Sequence, residues 1–487
     1  LDSNLSLFFS LFIGNHIMKR FLTMGLACVA AVLVATACSP WIDPKINIDP
    51  NNPSDISPRN GLAAIEGAAA YTHGGDLYRY ASLFTQQHSG FDRQHLAIYQ
   101  YAFTESDIST MWANFYSGHL KELDVMIGKT TTQSAPHYRG VARVLTAMSL
   151  GNLSAVMGDI PYSQALQGAA NFTPKYDTQE QIYVRVQSLL DSAILDLNAP
   201  TSSIAPGAED LIYGGAGTAA NRGKWIRAAW SLKARFALHL SKRNRTQAAT
   251  QALDFATKGI QSSADDMQLI FGATDDQSNP LYQFDALRND MRVNRTFIQQ
   301  LNRLNDPRRP FLARALVGDS TQVGALYGSA SSPVVFIGVA ETKFIEAEAN
   351  LILGRADAAK TAFAAGVRGS MTSAVAAGAA AGLAGIAIPT AAIDAYVAQD
   401  AVVPAGELTL ARIIEQKYIA LYPNGAESFS DWRRTGLPAL SPISGPSIPR
   451  RYPYPQTERE QNQANWQAAG GSSLQSYMFT RVWWDVQ

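Results

Sequence analysis

The 487-residue sequence has two cysteines, seven histidines and only 16% charged residues, and its 40 basic and 40 acidic side chains cancel. Each shortage narrows what the protein does. Two cysteines cannot build a disulfide framework. A balanced charge leaves no electrostatic footprint for a phosphate backbone, so no nucleic-acid partner is expected. Walker A, strand-associated G-x-G-x-x-G, H-E-x-x-H and G-x-S-x-G signatures are missing. The histidines show no metal-ligand spacing and read as core or surface, so no metal, cofactor or catalytic residue is expected. Carboxylates are numerous enough for a glycosidase pair. Glu346 and Glu348, however, lie two apart on a helix, point to different faces and read as structural.

What is present begins with Met18-Lys19-Arg20 and an apolar run from Phe21 to Ala35. The rival to a secretory signal is a membrane anchor, but the run is shorter than the roughly 20 residues of a span and no basic cluster follows it. Residues 18–37 therefore read as a signal peptide, and 1–17 as an upstream extension from a misplaced start. Ala35-Thr36-Ala37 is followed directly by Cys38. This resembles a bacterial lipobox, with Ala35 standing where a leucine is usual. Cys28 lies in the removed segment, which leaves Cys38 alone and no intramolecular disulfide to form. Several acyl chains on Cys38 would give stable membrane anchoring. Five prolines between Ser39 and Pro58 suit an extended tether over residues 38–58.

From residue 59 to 487 no glycine-rich linker divides the chain, and helical periodicity dominates. Ile108, Met111, Phe115, His119, Leu120 and Leu123 form one helical stripe. Thr178 with Gln181 marks a capping box ahead of Ile182, Val186, Leu189, Leu190, Ile194 and Leu197. Two helical stretches meet at Gly354, and the spacing Gly354, Ala358, Ala362, Phe363 suggests a tetratricopeptide-type pair without its full repeat signature. The alanine-rich run 374–392 leaves two readings open, a loosely specified helix or a mobile loop. A helix ends near Pro423-Asn424-Gly425. The expected fold is mainly α, with tetratricopeptide-like helical pairs packed in one body, long loops and minor β content.

Several ordered blocks then carry a resemblance. "INIDPNNPSDISP" after Cys38, "GDIPYSQALQG" (158–168), "EDLIYGG" (209–215), "KWIRAAWSLKARFALHLS" (224–241), "EQKYIALYPNGAESFSDWRRTGLPAL" (415–440) and "IPRRYPYPQTEREQNQANWQAA" (448–469) together resemble the SusD/RagB-like outer-membrane nutrient-binding lipoproteins. The resemblance implies a lipid-anchored protein that faces the cell exterior and has no enzymatic activity. It implies a SusC-like TonB-dependent barrel as partner and an oligosaccharide or other small nutrient as ligand. A helical adaptor that binds only proteins, a peptide-binding uptake component and a secreted hydrolase are the alternatives.

Sugar recognition uses aromatic faces beside amides and carboxylates. Two loop-like regions offer that mixture: Tyr78, Tyr80, Phe84, Gln87, His88, Phe91 and Tyr99 in one, and Asp276, Tyr282, Phe284, Arg288 and Asn289 in the other. They are expected as exposed rings facing one another across a depression. Trp432 with Arg433 and Arg434 reads as scaffold, in which the ring packs and a guanidinium ties down a loop. Trp483-Trp484 reads as burying the terminus.

Overall fold

The computed structural model describes residues 56–215, 217–315 and 321–487. The signal segment, Cys38 and all but the last three residues of the tether lie outside the described residues.

Helix α1 (Pro58–Thr72) passes through a π-helical turn, His73–Leu77, into α2 (Tyr78–Phe84). Strand β1 (His88–Gly90) and α3 (Arg93–Tyr99) follow. Next, α4 (Ser109–Ala113), a π-helical segment (Asn114–Leu120) and α5 (Lys121–Thr132) run on continuously. The stripe from Ile108 to Leu123 is buried along this stretch as its period requires. Helix α6 (Pro136–Met157) starts with proline in its first turn and stops at Gly158, whose φ of 96° few other residues adopt. By length and composition α6 could cross a membrane, yet 94% of its apolar window is buried, so it is a core helix. Strands β2 (Ile160–Pro161) and β3 (Tyr176–Asp177) precede α7 (Gln179–Leu197), which opens with the Thr178–Gln181 capping box. Helices α8 (Ala219–Leu238) and α9 (Arg245–Ala256) complete this half.

The second half starts with β4 (Met267–Ile270), α10 (Pro280–Arg288), β5 (Met291–Val293) and α11 (Arg295–Arg303). Short pieces follow: α12 (Arg309–Leu312), β6 (Ala313–Ala315), β7 (Thr321–Val323), α13 (Ala325–Gly328) and β8 (Pro333–Ile337). Helices α14 (Val339–Ile352) and α15 (Ala356–Ala380) meet around Gly354, at φ 73°. The alanine-rich run divides between both readings: α15 continues to Ala380, an irregular stretch follows, and α16 spans Thr390–Val397. A Cβ on Gly378 would come within 2.5 Å of Ile386, so the returning chain packs directly on α15 there. Then come α17 (Leu410–Ala420), α18 (Gly425–Thr435), α19 (Gln456–Gln461) and α20 (Gln463–Ala468). Asn424 accepts a hydrogen bond from the N–H of Glu427 and so also begins α18.

Among the described residues the strands form four two-stranded antiparallel ladders, β1–β5, β2–β3, β4–β8 and β6–β7. The fold is mainly α with minor β content, and consecutive helices pack side by side as α6–α7, α8–α9 and α14–α15. Pro58–Gln487 is one compact unit.

Charged side chains are buried together where α8, α14, α17 and α18 meet. Arg235 grips Glu341 through Nε and Nη2 at 2.6 and 2.7 Å. Lys417 bonds Asp431 at 2.8 Å, and Arg434 bonds Asp431 at 2.7 Å and Glu348 through both terminal nitrogens. Glu427 accepts from His239 Nε2 at 2.9 Å, and His239 Nδ1 meets the Tyr183 hydroxyl at 2.8 Å. Burial keeps His239 below its ordinary pKa, and a neutral ring with its proton on Nε2 satisfies both contacts. The expected structural roles of Glu346 and Glu348 hold, with Glu346 salt-bridged to Lys343.

Asp266 stands at the start of α14, where Oδ1 accepts the Val339 N–H at 2.7 Å and Oδ2 accepts from Ser373 Oγ. Burial outweighs these bonds and pushes its carboxyl from 3.8 up to about 7. The folded state therefore holds this proton more tightly than the unfolded chain does. The resulting stability is present below the unfolded pKa and lost as pH rises through about 7. Urea unfolding at a series of pH values should show the native chain losing stability relative to Asp266→Asn across that window. A difference that does not change with pH would contradict the assignment.

Candidate functional site

The two sequence regions proposed for ligand contact are joined through the β1–β5 ladder, with His88 opposite Val293 and Gly90 opposite Met291. The Phe91 N–H donates to Asp290 O at 2.7 Å, and the Asn294 N–H to Gln87 O at 3.0 Å. Gly90 is required at this crossing, because a Cβ would sit 2.0 Å from the His95 carbonyl oxygen. Buried Asp290 accepts from Arg93 Nε at 2.8 Å and from Arg288 Nε at 2.9 Å. Burial would raise its carboxyl, but those two hydrogen bonds hold it below the ordinary carboxylate value.

The structure corrects part of the expected residue set. Tyr78, Tyr80, Phe84, Gln87 and His88 are buried rather than presented to solvent. Tyr78, Tyr80 and Phe84 belong to helix α2, Gln87 to the buried turn after it and His88 to the start of β1, and Leu77, Tyr80, Ala81 and Phe84 recur at helical spacing toward the core. Phe84 packs among Tyr101, Phe103, Phe429 and Tyr452. Tyr80 donates to Asp107 O at 3.1 Å, and Gln87 Nε2 to Tyr418 O at 2.9 Å. His88 contacts the Tyr422 hydroxyl at 2.9 Å, and burial lowers its pKa to about 3.

The remaining residues lie at or near the surface. Phe91 is 57% exposed, with the Arg292 guanidinium 4.1 Å from its ring centroid. Tyr99 is half-buried, and its hydroxyl accepts from Asn294 Nδ2 at 3.1 Å. Asp276 is exposed in a short 3₁₀ turn. Tyr282 and Phe284 are half-buried on α10, and Phe284 is flanked by Arg79 at 4.2 Å and the His95 ring at 4.3 Å. Arg288 is exposed. Asn289, also exposed, closes α10 in the left-handed conformation, and its Oδ1 accepts from Arg292 and Gln322.

Other residues of this face escaped the sequence reading. Leu287 is 85% exposed beside Arg288. A leucine followed directly by Arg288, Asn289 and Asp290 at a short helix end was the available signal. A cleft of about 510 Å3 also opens just past the ladder, at Gln86 and Thr296. Phe297 and Tyr418 line it together with Gln300, Arg303, Arg412, Glu415 and the Leu437–Leu440 segment. Glu415 bridges Arg303 and Arg412. Rings, amides and guanidinium groups thus adjoin one another, a combination that can hold the apolar and hydroxylated faces of a sugar. Trp432 belongs to the scaffold, as expected. It is buried against Phe429, and the neighbouring Arg433 lies between the Phe429 and Trp484 rings while donating to Arg450 O.

A SusD-like family model, described as "Starch-binding associating with outer membrane", matches residues 50–455. Among solved structures, a chitin-binding protein is 25% identical with a TM-score of 0.72, the match covering 88% of this chain and 100% of that one. A SusD/RagB family protein from Bacteroides thetaiotaomicron is 24% identical with a TM-score of 0.71, over 88% and 99% of the two chains. A chitin-binding SusD homolog from Flavobacterium johnsoniae is 20% identical with a TM-score of 0.69, again over 88% and 99%. No curated protein matches the sequence.

Burial separates scaffold from face in a measurable way. Phe84→Ala should cost about 3–5 kcal/mol in urea unfolding, whereas Phe91→Ala and Leu287→Ala should stay within about 0.5 kcal/mol of the parent. Equal losses at all three positions would contradict this division.

Proposed function

The chain belongs to the SusD-like family of starch-binding, outer-membrane-associating proteins, and from that premise we propose that it captures an oligosaccharide at the cell surface and delivers it to a SusC-like TonB-dependent barrel. The observation that carries the ligand side of this reading is the exposed Phe91–Leu287–Arg288 face beside the cleft of about 510 Å3. Pockets that take small ligands fall in the range of roughly 300–1,000 Å3. An apolar ring face suits the C–H side of a pyranose, while guanidinium and amide groups suit its hydroxyls. The 25%-identical chitin-binding protein supports a polysaccharide-derived ligand.

In this reading the protein binds and does not catalyse. Phe91, Tyr99, Asp276, Tyr282, Phe284, Arg288 and Asn289 remain the ligand-contact candidates, joined by Leu287, Gln300, Arg303 and Arg412. The helical pairs serve as tetratricopeptide-type supports under the face. Lipid on Cys38 holds the body to the outer membrane facing the exterior, and the proline-rich tether gives it reach.

Delivery requires a complex with the barrel that buries more than about 1,200 Å2. Affinity purification of the native lipoprotein in mild detergent should recover a large β-barrel protein with it, and Cys38→Ser should leave the membrane fraction. Monomer alone from several mild detergents would contradict delivery, and an unmodified Cys38 on a normally localised protein would contradict the anchor.

A further inference from the structure

A second cleft, of about 560 Å3, is built from elements that contribute nothing to the Phe91 face: α5, the β2–β3 ladder with the segment between its strands, and the first turns of α7. Its lining includes Tyr162, Asp177, Gln167, Gln181, Asp124 and Arg185. The ring of Tyr162 is set before any ligand arrives. Residues Ile160 and Pro161 pair with Asp177 and Tyr176, and Asp177 Oδ2 accepts the N–H groups of Tyr162 and Ser163 at 2.8 and 2.7 Å. Pro161 O accepts the Tyr116 hydroxyl at 2.7 Å, which fixes the same strand from below. The opposite rim is held as well, because Lys121 Nζ donates to Leu166 O.

Arg185 lies with its guanidinium 5.9 Å from the Tyr162 ring centroid and forms no ion pair with any described residue. It also shares a side-chain hydrogen bond with Tyr162, and a guanidinium has five N–H groups, so further donors remain beside a half-exposed ring. Around them the charges of Lys121 and Arg185 cancel those of Asp124 and Asp177, so the cleft offers no net attraction to a strongly charged ligand. A fixed ring, donors on one side and carboxylate or amide acceptors on the other match a ligand with one apolar face and many hydroxyls. We infer that this cleft is a second binding site for a neutral oligosaccharide, with Tyr162 as its platform and Arg185 as its principal donor. The site is independent of delivery to a barrel and of binding at the Phe91 face.

Hydrogen–deuterium exchange on the mature chain, with maltoheptaose or chitohexaose in large excess, tests it with spatial resolution. Slowed exchange is expected in peptides covering residues 162–171, with apparent affinity there falling about tenfold or more in Tyr162→Ala and in Arg185→Ala. Arg185 is exposed, so its variant keeps the test open if Tyr162→Ala fails to fold. Slowing confined to residues 86–107 and 280–303 would overturn this site while leaving capture at the Phe91 face intact. Slowing at 162–171 alone would support this site and contradict capture at that face. No slowing anywhere with either sugar, or slowing at 162–171 unchanged in both variants, would overturn the inference.

Discussion

The buried ion chain from Arg235 through Glu341, Glu427, Lys417 and Asp431 to Arg434 and Glu348 sets the positions of four helices at once. Such a chain is not a net source of stability, since desolvating so many charges offsets much of their attraction. Its effect is selective. Removing one partner strands a buried charge at about 3–5 kcal/mol, so α8, α14, α17 and α18 tolerate few alternative registers. The C-terminus is fastened to the same region. Arg433 is stacked between Phe429 and Trp484, and Asp485 accepts from Arg450 and Lys242.

That constraint reaches the surface through α17. Lys417 belongs to the ion chain, and its neighbour Tyr418 accepts from Gln87 Nε2 and donates to Thr85 O. Tyr422, one turn further, contacts His88. The segment leading to Phe91 is therefore tied to the most rigidly determined part of the core, and the β1–β5 ladder passes this order on to α10 and α11. Recognition groups on loops and short helices above a fixed scaffold keep their geometry without ordering at the moment of binding. Five polar or aromatic residues expected at the face instead form this mounting, which explains why the stretch is so rich in them.

Much of the scaffold was legible because period and capping are local signals. The stripe from Ile108 to Leu123, the Thr178–Gln181 box and the break at Gly354 all depend on neighbours within one or two turns. The face was legible only as two chain regions. Tyr80 and Phe91 look alike in sequence, and what separates them is the short helix α2, whose Leu77–Tyr80–Ala81–Phe84 spacing outweighs the glutamines that follow. Gln300, Arg303 and Arg412 were out of reach for a different reason. They converge only where α11 and α17, more than a hundred residues apart, meet through Phe297 with Tyr418 and Arg303 with Glu415.

The central claim is that ligand is captured where the β1–β5 ladder joins these two regions, on a mounting the ion chain holds in place. A crystal structure of the mature chain grown with a chitin or starch oligosaccharide addresses it most directly. The account predicts a sugar ring against Phe91 or Leu287, or over the Phe297–Tyr418 cleft, with hydroxyls on Arg288, Gln300, Arg303 or Arg412 and no shift of the helices beneath. A bound oligosaccharide that touches none of these residues would contradict it.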